Sequence, residues 1–446
     1  MGSRTVRAGD GYPRSARHRL LIWILLFLTA GEFVLRGPIR YLRERTNWND
    51  LSQIYTASKL WLMGRNPSDP VNFVALWKQE GRSRLEVSDI RVHLAPPPGA
   101  LVLMAPVAAF PWNVAKMIWV IILLISFAMT VWALVPGGEF HWSEPRDQIF
   151  VAACLALAPF HTGFASGNST ILVIGMCALA IRATQNRRDI AAGILFGLAC
   201  TLKPHIGAPL VLYYLLRRRW SMFLTALGST LAMATVAVLR LQLLGVSWTR
   251  DYLHNAQGFV TANQIDDFSS LNPGRFMLIN LQVPFFSITG HRSSANLLAW
   301  AVGGFLLCIW LFLVVRSRNR ETELLALSAV SIIGLLPVYH RFYDAGFLVI
   351  PLCWCMTRPM GQAKNGIKLT LLLMSPFLLP GSAFLQQLSL HGRVSDAVIR
   401  SWWWNCIVMP HETWALLLLS LVLLYEMTRS PTTSQLPPVP TDGFER

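Results

Sequence analysis

Apolar stretches of helical length follow one another through most of the chain, parted by short polar links, and this pattern constrains the fold more than any motif does. They run near residues 20–36, 113–135, 148–165, 168–183, 190–202, 205–216, 221–240, 297–316, 322–338, 345–357, 367–385 and 412–427. A bilayer core takes about 20 apolar residues per helix, and 53% of the 446 residues are hydrophobic while 14% are charged. The expected fold is therefore an all-α polytopic membrane bundle of about 12 transmembrane helices with juxtamembrane helices at its outer face. Separate soluble catalytic domains, disorder and a disulfide-stapled secreted scaffold are excluded.

The pattern divides the chain into a basic N-terminus, 1–19, one multispan unit, 20–427, and a Pro-rich tail, 428–446. The first apolar run passes into Arg36 and Arg40 without a small-residue cleavage site, so it reads as a span and not as a cleaved signal. Segment 97–111 is short for a crossing and suits a re-entrant or interfacial hairpin. Helices around Lys203 are short as well, as in bundles that enclose a water-filled cavity.

Lys and Arg total 39 against 23 Asp and Glu, a net charge of +16. In a membrane chain this excess answers to anionic lipid, so no nucleic-acid partner is expected. Arg182, Arg187, Arg188, Arg217–Arg219, Arg316, Arg318, Arg320, Arg358, Lys364 and Lys368 sit in one alternating set of short links. The positive-inside rule makes that set cytoplasmic. Both termini then lie inside, and the loops 37–112, 241–296 and 386–411 lie outside with Asp50, His93, Asn168, Lys203, His205, His340 and Asp344. The seven cysteines form no CxxC pair, and six lie within apolar stretches, so they read as core residues.

Four clusters carry chemistry. Asp50 opens an amphipathic stretch to Met63 that suits a helix on the membrane surface; its carboxylate is either an N-cap, boxed by Gln53, or a reactive group at the lipid–water boundary. Lys203-Pro204-His205 interrupts an apolar run, and a lysine at membrane depth is a functional-site candidate, suited to a phosphate. Gly167-Asn168-Ser169-Thr170 is either a polar helix cap or a set of donors to a phosphate or sugar hydroxyl. His340-Arg341-Phe342-Tyr343-Asp344 reads as a sugar or phosphate rim, or as an interfacial belt. Trp402–Trp404 read as interface anchors. Gly193 and Gly197 form a GxxxG pair for close helix packing. No Gly-rich nucleotide loop and no HExxH occurs, and Asp266-Asp267 alone is thin support for a metal.

The order of these motifs resembles that of the polyprenol-phosphate-mannose-dependent mannosyltransferases, glycosyltransferase family 87, within the multispan GT-C superfamily. Asp50 with Tyr55, Leu60, Gly64, Asn66 and Pro67 resembles the family's first outer loop, whose aspartate is the general base. His93 to Pro98 resembles its Pro-Pro segment, and Ala192-Gly193, Gly197, Lys203 and Pro204 its following hairpin. His340 with Tyr343 is similar to its late His/Tyr loop. Asn168 stands where the family commonly has glutamine, and Ser68 where an aromatic is frequent, departures that bear on the sugar more than on the fold.

The resemblance implies an inverting transferase at the outer face of a bacterial cytoplasmic membrane, moving a sugar, mannose by family, from a polyprenyl monophosphate to a glycolipid or glycan. Asp50 is the expected base. Lys203, His205 and Arg341 are expected at the donor phosphate, and Tyr55, His93, Asn168, His340, Tyr343 and Asp344 around the substrates. No metal or other cofactor is expected. A transporter or flippase of lipid-linked glycans, or a ligase that moves whole glycans from a diphosphate, is the alternative; the absence of an inverted repeat weighs against the first.

Overall fold

The computed structural model describes residues 16–43, 49–80, 96–258, 266–317, 322–358 and 364–429. Among them no β-strand occurs, and the one extended pairing is an isolated bridge between Leu278 and Arg341. The principal helices are α1 (Ala16–Val34), α2 (Asp50–Leu62), α3 (Pro98–Ala108), α4 (Trp112–Leu134), α5 (Pro145–Ala156), α6 (Ala158–Ser166), α7 (Thr170–Gln185) and α8 (Asp189–Leu202). They continue as α9 (Pro204–Leu216), α10 (Trp220–Leu243), α11 (Arg292–Arg316), α12 (Glu323–Ile333), α13 (Val349–Thr357), α14 (Lys364–Met374), α15 (Gly381–Leu390) and α16 (His411–Arg429).

Each of the twelve apolar stretches is largely helical, but the expectation of about 12 crossings is not met by length. Among the described residues five stretches are long and apolar enough to cross a bilayer: Ala16–Arg43, Trp112–Leu134, Trp220–Leu243, Arg292–Arg316 and Lys364–Leu390. The pair α5 and α6, bent by 50°, makes a sixth if taken as one span. Proline is one cause of the shortness. Pro204 takes the first position of α9, where its missing N–H costs nothing, and ends α8 at Lys203 by disfavouring helical backbone there. Segment 97–111 forms a single short helix, α3, packed against α2 and α10, in place of the expected hairpin.

Helix α8 packs on both α7 and α10. The glycine pair sets the second contact: a Cβ on Gly193 would lie 2.5 Å from the Met222 carbonyl oxygen, and one on Gly197 2.6 Å from that of Ala226. The hairpin of α7 and α8 turns at Arg187 and Arg188, and α9 leaves toward Arg217–Arg219. The basic links therefore lie at the opposite end of these helices from Thr170 and Lys203. Of the three tryptophans at 402–404, Trp402 and Trp403 are exposed as anchors would be, but Trp404 is buried.

Candidate active site

The expected capping box is displaced by one residue. Asn49 is the N-cap of α2, its Oδ1 accepting from the Ser52 backbone N–H at 3.0 Å while the Ser52 hydroxyl accepts from the Asn49 N–H at 3.1 Å. Asp50 is thereby relieved of capping, and Gln53 turns to line a cavity instead. Asn168 Nδ2 donates to Asp50 Oδ2 at 2.7 Å, across 118 residues of chain.

Asn168 is held by its own turn. Gly167 ends α6 in the left-handed region at φ 64°, and a Cβ there would lie 2.6 Å from Tyr41 Cε2. Trp119 Nε1 donates to the Gly167 carbonyl at 2.8 Å. Asn168 Oδ1 then accepts from the backbone N–H and hydroxyl of Thr170, at 2.8 and 2.7 Å, an Asx turn that fixes the amide's orientation.

Thr170 leads to the cationic side. Lys203 Nζ donates to Thr170 Oγ1 at 2.7 Å and to Asp344 Oδ1 at 2.9 Å, and stands 4.8 Å from the centre of the Tyr343 ring. The Asp344 carboxylate, 1% exposed, also accepts from the Arg341 backbone N–H at 3.1 Å and faces His340 Nδ1 at 3.3 Å. Among the described residues His340 Nε2 is buried without a hydrogen-bond partner, and its ring centre is 5.0 Å from that of His205. A continuous polar chain thus runs from Asp50 through Asn168, Thr170 and Asp344 to Lys203.

A cavity of about 360 Å³ lies along this chain, lined among others by Asp50, Gln53, Asn168, Lys203, His205, Asp266, Tyr339 and Tyr343, with Pro96 and Pro97 at its wall. His205 also lines a larger groove of about 790 Å³ between α9, α10, α11 and α12, whose other walls are almost wholly apolar, including Leu227, Trp300 and Leu307. The polar cavity and the apolar groove therefore meet at His205.

Several expected residues take other positions. Tyr55 is buried off the cavity, its hydroxyl donating to the Phe110 carbonyl at 2.9 Å and accepting from Lys59. Arg341 does not line the cavity; its Nη2 lies 4.0 Å from Asp266 Oδ1. His340 and Asp344 stand behind the wall and hold Lys203 in place. His93 lies outside the described residues. The Asp266-Asp267 pair is split: Asp267 binds Arg292 and Ser269, while Asp266 faces the cavity. Burial pushes the Asp266 carboxyl up to about 7, against the opposing pull of Arg341 and Tyr339. The sequence weighs Asp266 only as thin support for a metal and places Thr170 within the Gly167–Thr170 cluster, two residues after an Asn that can form an Asx turn; Tyr339 carries no signal of its own. Among the described residues no group of three or more His, Cys, Asp or Glu side chains is arranged to hold a metal.

Neither curated proteins nor solved structures give a significant match to this chain. The model of glycosyltransferase family 87 matches residues 96–340. That stretch carries Asn168, Lys203, His205, Asp266 and Tyr339 and ends at His340, while Asp50 joins it from upstream through its bond to Asn168. Mostly helical and without a strand among its described residues, with apolar helices long enough to cross a bilayer and a match covering more than half its length, the chain is a membrane protein that belongs to glycosyltransferase family 87.

Proposed function

We propose that this protein moves a hexose, mannose by family resemblance, from a polyprenyl monophosphate to a hydroxyl of a glycolipid or glycan acceptor at the outer face of a bacterial cytoplasmic membrane. The observation that carries the reading is the pairing of two spaces at His205: a polar cavity with a carboxylate and an ammonium on its walls, and an apolar groove sized for a lipid chain. A polar head group with an isoprenoid tail needs both.

The Asp50 carboxylate takes the proton of the acceptor hydroxyl as that oxygen attacks the anomeric carbon. Asn168 fixes Oδ2 and leaves Oδ1 to the proton. The bond from the anomeric carbon to the phosphate oxygen breaks as the new one forms, in a single displacement that inverts the centre. The electron pair leaves on the phosphate, where the Lys203 ammonium stabilises it, with His205 donating beside it. Lys203 is suited to this because Thr170 and Asp344 fix its position in advance, so little reorganisation accompanies the charge shift. A monophosphate leaving group carries a charge that such side chains can meet without a metal. On this reading Asn168 and Tyr343 orient the sugar, and Asp344 and His340 position the ammonium.

Label transfer from polyprenyl-phosphate mannose, followed in membranes carrying the wild type or Asp50→Asn with and without a chelator, tests the reading. Transfer that falls about 10²–10⁴-fold in the variant and is unchanged by chelation is expected. An active Asp50→Asn enzyme removes Asp50 as base, and a wild type inert toward all polyprenyl-phosphate sugars removes the donor. A transporter moves lipid-linked glycan without forming a new glycosidic bond, which the same assay detects.

A further inference from the structure

A second, smaller cavity of about 250 Å³ lies back to back with the first. Its walls include Arg40, Thr162, Ser166, Phe276, Phe342 and Glu412. Ser166 and Phe342 are the chain neighbours of Gly167 and Tyr343, which line the first cavity, so the partition between the two spaces is about one residue thick there. Arg40 precedes Tyr41, the ring that packs against Gly167, and a Cβ on Gly167 would also approach Leu51, the neighbour of Asp50. The second cavity thus adjoins the Asp50 side of the site. It shares no lining residue with the apolar groove.

Its chemistry is selective. Glu412 is 2% exposed; its two oxygens accept from the Ser382 N–H at 3.1 Å and the Ser382 hydroxyl at 2.8 Å, the Gly381 N–H also faces it, and His411 Nε2 stands 3.8 Å from Oε1. A carboxylate has about four acceptor positions, so capacity is left over. Among the described residues the Arg40 guanidinium has no ion-pair partner and the Thr162 hydroxyl no hydrogen bond. Phe276 and Phe342 add ring surfaces, and Phe342 is backed by a stacked Phe377 at 5.9 Å. A buried carboxylate repels phosphate. A hydroxyl donor satisfies it, and a ligand hydroxyl oxygen in turn accepts from Arg40 and Thr162. Aromatic faces cover the apolar C–H side of a ring.

We propose that this cavity is an acceptor-side subsite for a neutral pyranose, a sugar unit of the acceptor next to the one that presents its hydroxyl to Asp50. The assignment rests on the transferase reading given above for the neighbouring cavity, and it names the class of acceptor: a neutral glycan of more than one sugar, and not a bare lipid or an anionic head group.

The test uses the full-length protein in nanodiscs and two readouts. Saturation-transfer NMR with methyl glucoside, methyl mannoside and methyl galactoside reports binding without turnover. At least one hexoside should receive saturation from the wild type and from Asp50→Asn, lose it severalfold in Arg40→Gln and Thr162→Val, and keep it in Thr162→Ser. In transfer assays, the same two variants should raise the acceptor KM severalfold and leave the donor KM unchanged. Hexoside binding unchanged in both variants, or absent from the wild type, overturns the subsite. Binding that behaves as expected in an enzyme that transfers no sugar from polyprenyl phosphate overturns the transferase reading and leaves the sugar site standing.

Discussion

Thr170 Oγ1 lies 2.6 Å from Asp344 Oδ1, a contact between the first turn of α7 and the 3₁₀ helix Phe342–Leu348 that leads into α13, 174 residues apart. The same hydroxyl faces Asn168 Oδ1 at 2.7 Å and has one proton for the two oxygens. Because Lys203 donates to it as well, the hydroxyl is the point at which the carboxylate side of the site and its cationic side meet. Thr170→Val should lower kcat about 10–100-fold, the worth of hydrogen bonds to charged groups, and Thr170→Ser should restore most of it. Steady-state kinetics of the two variants check this; a Val variant with wild-type kcat would show that the hydroxyl is a packing feature.

The Lys203–Asp344 pair has a structural role and a proposed catalytic one, and they separate by mutation. Lys203→Ala leaves a buried carboxylate with one cation fewer, at a cost of about 3–5 kcal/mol. Adding Asp344→Asn should recover much of that stability, because no uncompensated charge remains, but donor use should stay impaired. Thermal unfolding in detergent and donor KM, measured on the single and double variants, distinguish the two roles.

Asp266 gives the protein a pH signature. Its carboxyl is raised in the fold from an ordinary 3.8 to about 7, so between these values the folded state binds more protons than the unfolded one. The stability it contributes is complete below about pH 4 and is lost as the pH rises through about 7. Asp266→Asn should flatten this part of the Tm-against-pH curve. An identical slope in the variant would assign the titration elsewhere.

The contact between α8 and α10 predicts a contrast between two glycines. Gly193→Val places a side chain against the Met222 carbonyl oxygen and Thr225 Cβ and should cost about 1–3 kcal/mol or more. A Cβ on Gly228, also in α10, meets nothing within 4 Å, so Gly228→Ala should leave the unfolding midpoint unchanged or raise it. Parallel unfolding curves of the two variants settle the point.

What could be read from the sequence follows from what is local. Apolar length announces helices, and the cost of a lysine at membrane depth announces Lys203, because both are properties of single segments. Proline positions likewise mark the breaks in the bundle. The capping of α2 was misread by one residue because Asn49 and Asp50 are both good caps, and only the direction of the chain entering the helix chooses between them. Asp266 was illegible because its neighbour is also an aspartate, and which of the two meets Arg292 is decided by a helix that begins 26 residues later. The partner of Tyr55 could not be read for a related reason: the Phe110 carbonyl is placed as its acceptor only because α3 ends beside α2.

If the donor is the polyprenyl phosphate proposed above, the meeting of the groove and the cavity at His205 carries a consequence for how that carrier is handled. Leu227 and Trp300 on the groove walls are about half exposed, so the groove faces sideways out of the bundle. Lifting a hydrocarbon tail into water costs about 0.8 kcal/mol for each methylene, a prohibitive sum for a polyprenol. A carrier seated there keeps its tail in the bilayer from loading to discharge, and only its head group crosses from lipid to protein. The spent phosphate can then drift away laterally, by a route that a water-borne glycan does not share.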